Sequence, residues 1–410
     1  MENKNLITGI DLGSSKIAVA IGDCKDGEIN LKSYEIEESV GIRGGVIVDL
    51  KAACECISRI IQKAEKKAKT EITSVFIGIS GQHLHSNNNE GKISLSTDQE
   101  EIGVQHLKEV IFKAKTSPSS LGLEVLHVLP SEFILDNVAG VKNPIGLFGK
   151  ELKVKLTSVI GITTAIQNAI RCVHLAGLDV EHVIANMIAT GEAILYPEEK
   201  DLGVGLIDLG SHLTDIAIYK GEYPAYLSSL PYGGENLSRE IATRLHVSLK
   251  EAEEIKKSHG VCLRYLLDNN EEINFGKPTA KKIRKLELAE IIEEKSEMLV
   301  SHIFARIGNY LPLLGSGIVL TGGTSNLVGL KEVIEQKMNL PVRIGGIRTD
   351  LIANPSIFQK PSESMEYATS LGLIAYGKRV RDKEKNFPWE KENIYDKTIG
   401  KVFNWIKNFF

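Results

Sequence analysis

The stretch Gly9-Ile10-Asp11-Leu12-Gly13-Ser14-Ser15-Lys16 decides how this chain is read, because a degenerate copy returns as Leu206-Ile207-Asp208-Leu209-Gly210-Ser211-His212-Leu213-Thr214-Asp215. Around the first copy, the apolar runs Leu6-Ile7 and Ile17-Ala18-Val19-Ala20-Ile21 predict two strands joined by a tight glycine turn. Gly13 lets backbone N–H groups approach an anion, Ser14 and Ser15 add hydroxyl donors, and Lys16 reaches a phosphate oxygen as a point charge. Asp11 repels phosphate, so a role there implies Mg2+ held through water. Asp208 repeats that logic in the second copy, with Gly210, Ser211 and His212 in the turn. Asp-x-Gly turns occur in many ordinary hairpins; the pair carries the reading. Two such cradles facing each other would grip a triphosphate from both sides.

A third signal is Gly317-Ile318-Val319-Leu320-Thr321-Gly322-Gly323-Thr324-Ser325-Asn326. It predicts a buried strand running into a double glycine and then a helix. Such a turn lays backbone flat against a nucleoside and points a helix N-terminus at its phosphates. A plain strand-to-helix turn packed on its glycines is the alternative for this motif alone.

The 410 residues are enough for two or more domain-sized cores, and 42% hydrophobic with 25% charged residues is a soluble globular balance. No run of eighteen apolar residues spans a bilayer, and Met1-Glu2-Asn3-Lys4-Asn5 lacks a signal-peptide pattern. Cys24, Cys54, Cys56, Cys172 and Cys262 form no C-x-x-C pair, which points to reduced thiols in the cytoplasm, and the ten histidines make no zinc motif. The net charge is −4, but from Lys378 onward nine Lys or Arg face five Asp or Glu. The acidic body is a poor match for nucleic acid, whereas the basic end suits an anionic surface.

Between these signals, Lys51–Lys69 reads as an amphipathic helix with Cys56, Ile57, Ile60, Ile61 and Ala64 on one face, followed by the strand Val75–Ser80. From about His83 to Val159 the texture changes to a small α+β insertion. It is expected to hold a polar loop at Asn87-Asn88-Asn89, a helix near Gln105–Lys115, strands around Val125–Leu135 and Leu152–Val159, and turns marked by Pro130 and Pro144. Ser248 with Glu251 has capping-box spacing ahead of a Lys/Glu-rich helix.

The end of the chain reads as a charged linker from Lys378 to Asp396 and then an amphipathic helix over 397–410. At about 100° per residue, Ile399, Val402, Phe403, Ile406, Phe409 and Phe410 share one face. Trp405 lies at its edge, and Lys397, Lys401 and Lys407 beyond it. Fourteen residues are too short to span a membrane but long enough to lie in its surface, so an anionic lipid membrane is the expected partner.

The three glycine motifs resemble the phosphate and adenosine motifs of the actin-like ATPase superfamily. Within it, the chain resembles the FtsA family of bacterial cell-division proteins nearly end to end. The resemblance adds His127-Val128-Leu129-Pro130-Ser131-Glu132-Phe133-Ile134-Leu135-Asp136, Tyr232-Gly233-Gly234-Glu235-Asn236-Leu237 and the amphipathic terminus. It implies an α/β, actin-like fold of two RNase-H-like domains around a nucleotide cleft, with an α+β insertion subdomain and a C-terminal amphipathic helix. It implies ATP and Mg2+ as ligands, with adenosine at Gly234, Glu235, Lys256, Gly322, Gly323 and Thr324. The implied subdomains are 1A (1–81, 161–200 and 365–380), insertion 1C (82–160), 2A (201–226 and 302–364) and 2B (227–301). The linker would be 381–396 and the membrane helix 397–410.

Implied partners are the C-terminal peptide of the tubulin-like FtsZ, other copies of the chain in a filament, and other division proteins. The implied place is the inner face of the cytoplasmic membrane at the division site, with Lys295 a possible peptide contact. Two departures from the family pattern stand out. Ser211, His212 and Leu213 replace two glycines and a hydroxyl, and His212 is expected to loosen the grip on the γ-phosphate. Asn186 stands where hydrolytic relatives place a water-orienting Glu or Gln; it cannot accept a proton, so absent or very slow hydrolysis is expected. The rivals are an actin-like scaffold of the pilus-assembly type and a small-molecule kinase of the same superfamily.

Overall fold

The computed structural model describes residues 5–25, 28–95, 100–115, 122–267, 271–275, 281–353, 357–358 and 361–386. Two five-stranded sheets repeat one topology. The first runs Glu28–Glu38, Lys16–Lys25, Leu6–Leu12, Ser74–Ile79, Asp179–Ala185; the second runs Pro224–Leu230, Thr214–Tyr219, Val204–Leu209, Ile318–Thr321, Val342–Ile344. In each, three antiparallel strands lead into two more that lie parallel to the first of them. Parallel strands need cover on both faces. On the first sheet the helix Leu50–Ala68 buries Ala53, Cys56, Ile57, Ile60, Ile61 and Ala64, and the C-terminal helix Ala368–Asn386 packs against the central strand. The fit there is close: a Cβ on Gly9 would lie 2.3 Å from the Ser370 carbonyl oxygen. The second sheet buries Ile207, Ile216, Ile218 and Leu320 with Leu288, Ile292, Leu299 and Ile303 of the helix Lys285–Ile307.

The insertion is a four-stranded sheet in the order Val138–Val141, Leu123–Leu135, Glu151–Ile162, His85–Ser94, with the helix Val104–Ala114 packed on it. The three asparagines expected in a loop lie inside the strand His85–Ser94, paired without a break from Ser94 opposite Glu151 to His85 opposite Ile160. Cross-strand pairing overrides their local turn preference, and the Thr157 hydroxyl donates to Asn88 Oδ1 at 3.0 Å. Pro130 is likewise not a turn; it sits within Leu123–Leu135 where the register shifts between Lys155 and Leu156, the kind of place a strand tolerates proline.

This insertion touches both halves. It begins and ends beside the first sheet, and Ser86 reaches the second: its hydroxyl accepts from the Leu227 N–H at 2.8 Å and lies 3.2 Å from the Leu227 carbonyl oxygen.

The C-terminal helix continues to Asn386, so the first part of the expected linker is helical. Two charges at the start of that stretch are bound to the body. Arg379 Nη1 donates to Glu222 at 2.7 Å and Arg381 Nη1 to the Leu6 carbonyl at 2.7 Å, with Glu181 also on Arg381. The rest of the linker and the membrane-facing set (Ile399, Lys401, Val402, Phe403, Trp405, Ile406, Lys407, Phe409, Phe410) lie outside the described residues. Among the described residues, no helix is long and apolar enough to cross a membrane.

Candidate functional site

Both cradles form as hairpin turns at the ends of central strands. Asp11 lies in Leu6–Leu12 and pairs with Ala18, and Asp208 lies in Val204–Leu209 directly opposite Asp215. The two turns converge. Lys16 sits in the field of both Asp11 and Asp208, and Asp11 in the field of Asp208. Burial pushes the Asp11 carboxyl up to about 6, with Lys16 and the Asn186 hydrogen bond opposing and Asp208 reinforcing the rise. Burial likewise lifts Asp208 to about 6 and holds the Lys16 ammonium below its ordinary value.

The sequence reading missed a third acid, Asp215. Burial raises it to about 7 despite a hydrogen bond from Ser229, with Asp208, Ser80 and Asp11 also acting on it. It was in the quoted motif, but its environment is completed by Ser229 of the next strand and by Ser80 and Asp11 from far back in the chain. Three buried carboxylates within one another's field, two of them also acting on Lys16, make a site that favours added positive charge. Among the described residues, no group of three or more His, Cys, Asp or Glu is placed to hold a metal directly. The donor set therefore fits a hard cation such as Mg2+ reached through water and phosphate oxygens rather than an all-protein cage.

Asn186 opens the helix Asn186–Ile194 and donates to Asp11 Oδ1 at 2.9 Å. Its own amide oxygen is buried and has no hydrogen-bond partner among the described residues. Ser14 accepts from the Gly45 N–H at 3.1 Å, so a glycine hairpin at 42–47, also missed from sequence, props the first turn. Ser15 is exposed at its tip, and its carbonyl accepts from Ser39.

The second cradle is walled on two sides. Gly234 N–H donates to Gly210 O at 2.9 Å and Glu235 N–H to Ser211 O at 2.8 Å, which ties the start of the helix Gly234–Leu245 to the turn. Lys256 donates to the Gly234 carbonyl at 2.8 Å and pairs with Glu253 at 2.7 Å, supporting that helix start. From above, Thr324 Oγ1 donates to Gly210 O at 3.0 Å. Gly322 has φ +85°, and a Cβ there would lie 2.2 Å from Asp208 Oδ1. The expected helix does not start at the double glycine. A 3-10 turn, Gly323–Asn326, follows it, and the helix Leu330–Met338 begins later. Gly234, Glu235, Lys256, Gly322, Gly323 and Thr324 are thus gathered around the second turn. Lys295 is remote from it, on Lys285–Ile307, paired with Glu240 at 3.3 Å.

Paired sheets of one topology with facing turns define an actin-like fold, and solved structures agree. The chain is similar to a PilM-PilN type IV pilus biogenesis complex (TM-score 0.64, 16% identity, 90% of this chain and 98% of that one). It is also similar to MreB5 of Spiroplasma citri bound to ADP (TM-score 0.58, 12% identity, 94% and 99%). Family models narrow the class: "Cell division protein FtsA" matches residues 205–372 and "SHS2 domain inserted in FTSA" matches 81–160. The cell division protein FtsA of Buchnera aphidicola is 31% identical over 99% of both chains. The chain belongs to the FtsA family, and so to the actin-like proteins of cell division.

Proposed function

We propose that this chain binds ATP with Mg2+ between its two halves, polymerises, and tethers FtsZ filaments to the inner face of the cytoplasmic membrane at the division site. One observation carries the nucleotide reading: Asp11, Lys16 and Asp208, from turns far apart in the chain, share one electrostatic site. In this reading Ser14, Ser15 and Lys16 hold phosphate oxygens, and Asp11 and Asp208 hold the waters of the metal. The glycine turn at Gly322-Gly323, with Gly234, Glu235, Lys256 and Thr324, receives the nucleoside. The bound metal supplies charge neutralisation on the phosphates.

Asn186 orients rather than activates. Its NH2 group is given to Asp11, and a carboxamide cannot take a proton from water, so ATP acts as a conformational ligand more than as fuel. The subdomain division given above is carried over with this reading, with 227–301 as the lobe that receives the FtsZ peptide. Lys295 takes part only by exchanging Glu240 for an acidic residue of the peptide. A pilus-type scaffold has a likeness of fold alone behind it. Calorimetric titration with MgATP tests the nucleotide reading: micromolar binding supports it, and none at millimolar ATP removes it. A pull-down with the FtsZ peptide tests the tether.

A further inference from the structure

The second turn carries His212 and Ser211 where the family pattern has glycine, and the structure gives the substitution a partner. His212 Nε2 lies 2.5 Å from Glu235 Oε2, and both side chains are largely buried, at 22% and 15% exposure. The pair lies parallel to two backbone bonds that already join the same segments, Gly234 N–H to Gly210 O and Glu235 N–H to Ser211 O. On the same seam, a Cβ on Gly233 would lie 2.4 Å from the Ser211 carbonyl oxygen. Glu235 is itself steadied by Arg239 one turn along its helix.

We infer that His212 and Glu235 are a positioning pair that holds the second phosphate turn in shape before nucleotide arrives, and that this pair sets the affinity for the terminal phosphate. A glycine-rich turn is free to adapt and loses that freedom when it closes on an anion. Here a side-chain contact between the imidazole and the carboxylate takes the freedom away in the empty protein. On this inference the pair would tighten the turn rather than loosen it, because Glu235 holds the imidazole against the helix start. The inference rests on the nucleotide reading above and deepens it.

The test compares His212→Gly, Glu235→Gln and the double variant in the full chain. Hydrogen exchange of the 210–213 amides is measured without nucleotide, and MgATP and MgADP affinities by titration. Each single variant should speed exchange at the turn and weaken ATP by about fivefold, the range of one side-chain hydrogen bond. In His212→Gly, ADP, which lacks the terminal phosphate, should change by less than about twofold; Glu235, which also stands beside the nucleoside, is read only by exchange and by the double variant, which should be no worse for ATP than the poorer single. Multiplying effects, or equal losses of ATP and ADP in His212→Gly, would overturn the pair. So would unchanged exchange in both singles, even if the wild-type chain bound no nucleotide; that last result would separately sink the nucleotide reading.

Discussion

The side-chain amide of Asn186 donates to the carboxylate of Asp11 at 2.9 Å, so the helix that follows the last strand of the first sheet is anchored on the first phosphate turn. The contact spends the one polar hydrogen-bearing group at a position where hydrolysis would need a proton acceptor. Asn186→Glu is expected to raise single-turnover ATP hydrolysis by about tenfold or more, within the usual range for an added general base. It should also lower the thermal midpoint without nucleotide, since it sets a carboxylate against Asp11. A wild-type rate equal to that of hydrolytic actins, or no gain in the variant, contradicts the assigned role.

The raised carboxyls give a signed pH dependence. Asp215 titrates near 3.8 when unfolded and near 7 when folded, so between those values the native state holds more protons than the unfolded one. Stability from this group is full below pH 4 and is lost as pH rises towards 7. Asp215→Asn should therefore be more stable than wild type at pH 7.5, by on the order of 2 kcal/mol, and gain little at pH 4. Urea melts of both proteins without nucleotide, at the two pH values, measure it; a difference that does not grow with pH rejects the assignment.

Two neighbouring glycines should separate folding from binding. A Cβ at Gly322 meets Asp208 Oδ1 at 2.2 Å and Leu209 O at 2.6 Å, on a backbone with φ +85°. Gly322→Ala is expected to cost about 2 kcal/mol or more of stability. At Gly323 nothing lies within 4 Å of the added carbon, so Gly323→Ala should fold like wild type. If a nucleoside lies flat on that turn, Gly323→Ala should still lose ATP affinity, and normal binding by it would place the nucleoside elsewhere.

Membrane binding is expected to reside in residues 397–410. Fully burying side chains such as Val402, Phe403 and Ile406 contributes about 1.5–3 kcal/mol each before ordering costs. Three lysines on anionic lipid add about 1 kcal/mol apiece. A chain ending at Lys385, close to the end of the helix Ala368–Asn386, should fail to float with anionic liposomes that carry the full chain. Equal flotation of the two would remove the anchor.

What was legible in the sequence was chemistry set by short stretches. A strand, an Asp-x-Gly turn and a second strand announce themselves locally, so both cradles and the Gly322-Gly323 turn were readable, as was the cap at Ser248, which accepts from Glu251 N–H at 3.2 Å. The unread part depends on distant partners. Ser229 meets Asp215 only when the strand Pro224–Leu230 pairs beside it, Ser80 acts on it only from the chain of the first sheet, and Asn87 to Asn89 become a strand only because Glu151–Ile162 lies alongside. The charged stretch after Lys378 stays helical because Glu222 and Glu181 receive its arginines. None of those neighbours is visible from within the segments themselves.

The hydroxyl of Ser86 borrows the edge of a foreign sheet at Leu227, so the inserted lobe is fastened at both ends of the molecule's bend. A lobe clamped in that way acts as a strut: any parting of the two sheets has first to break the Ser86–Leu227 contact.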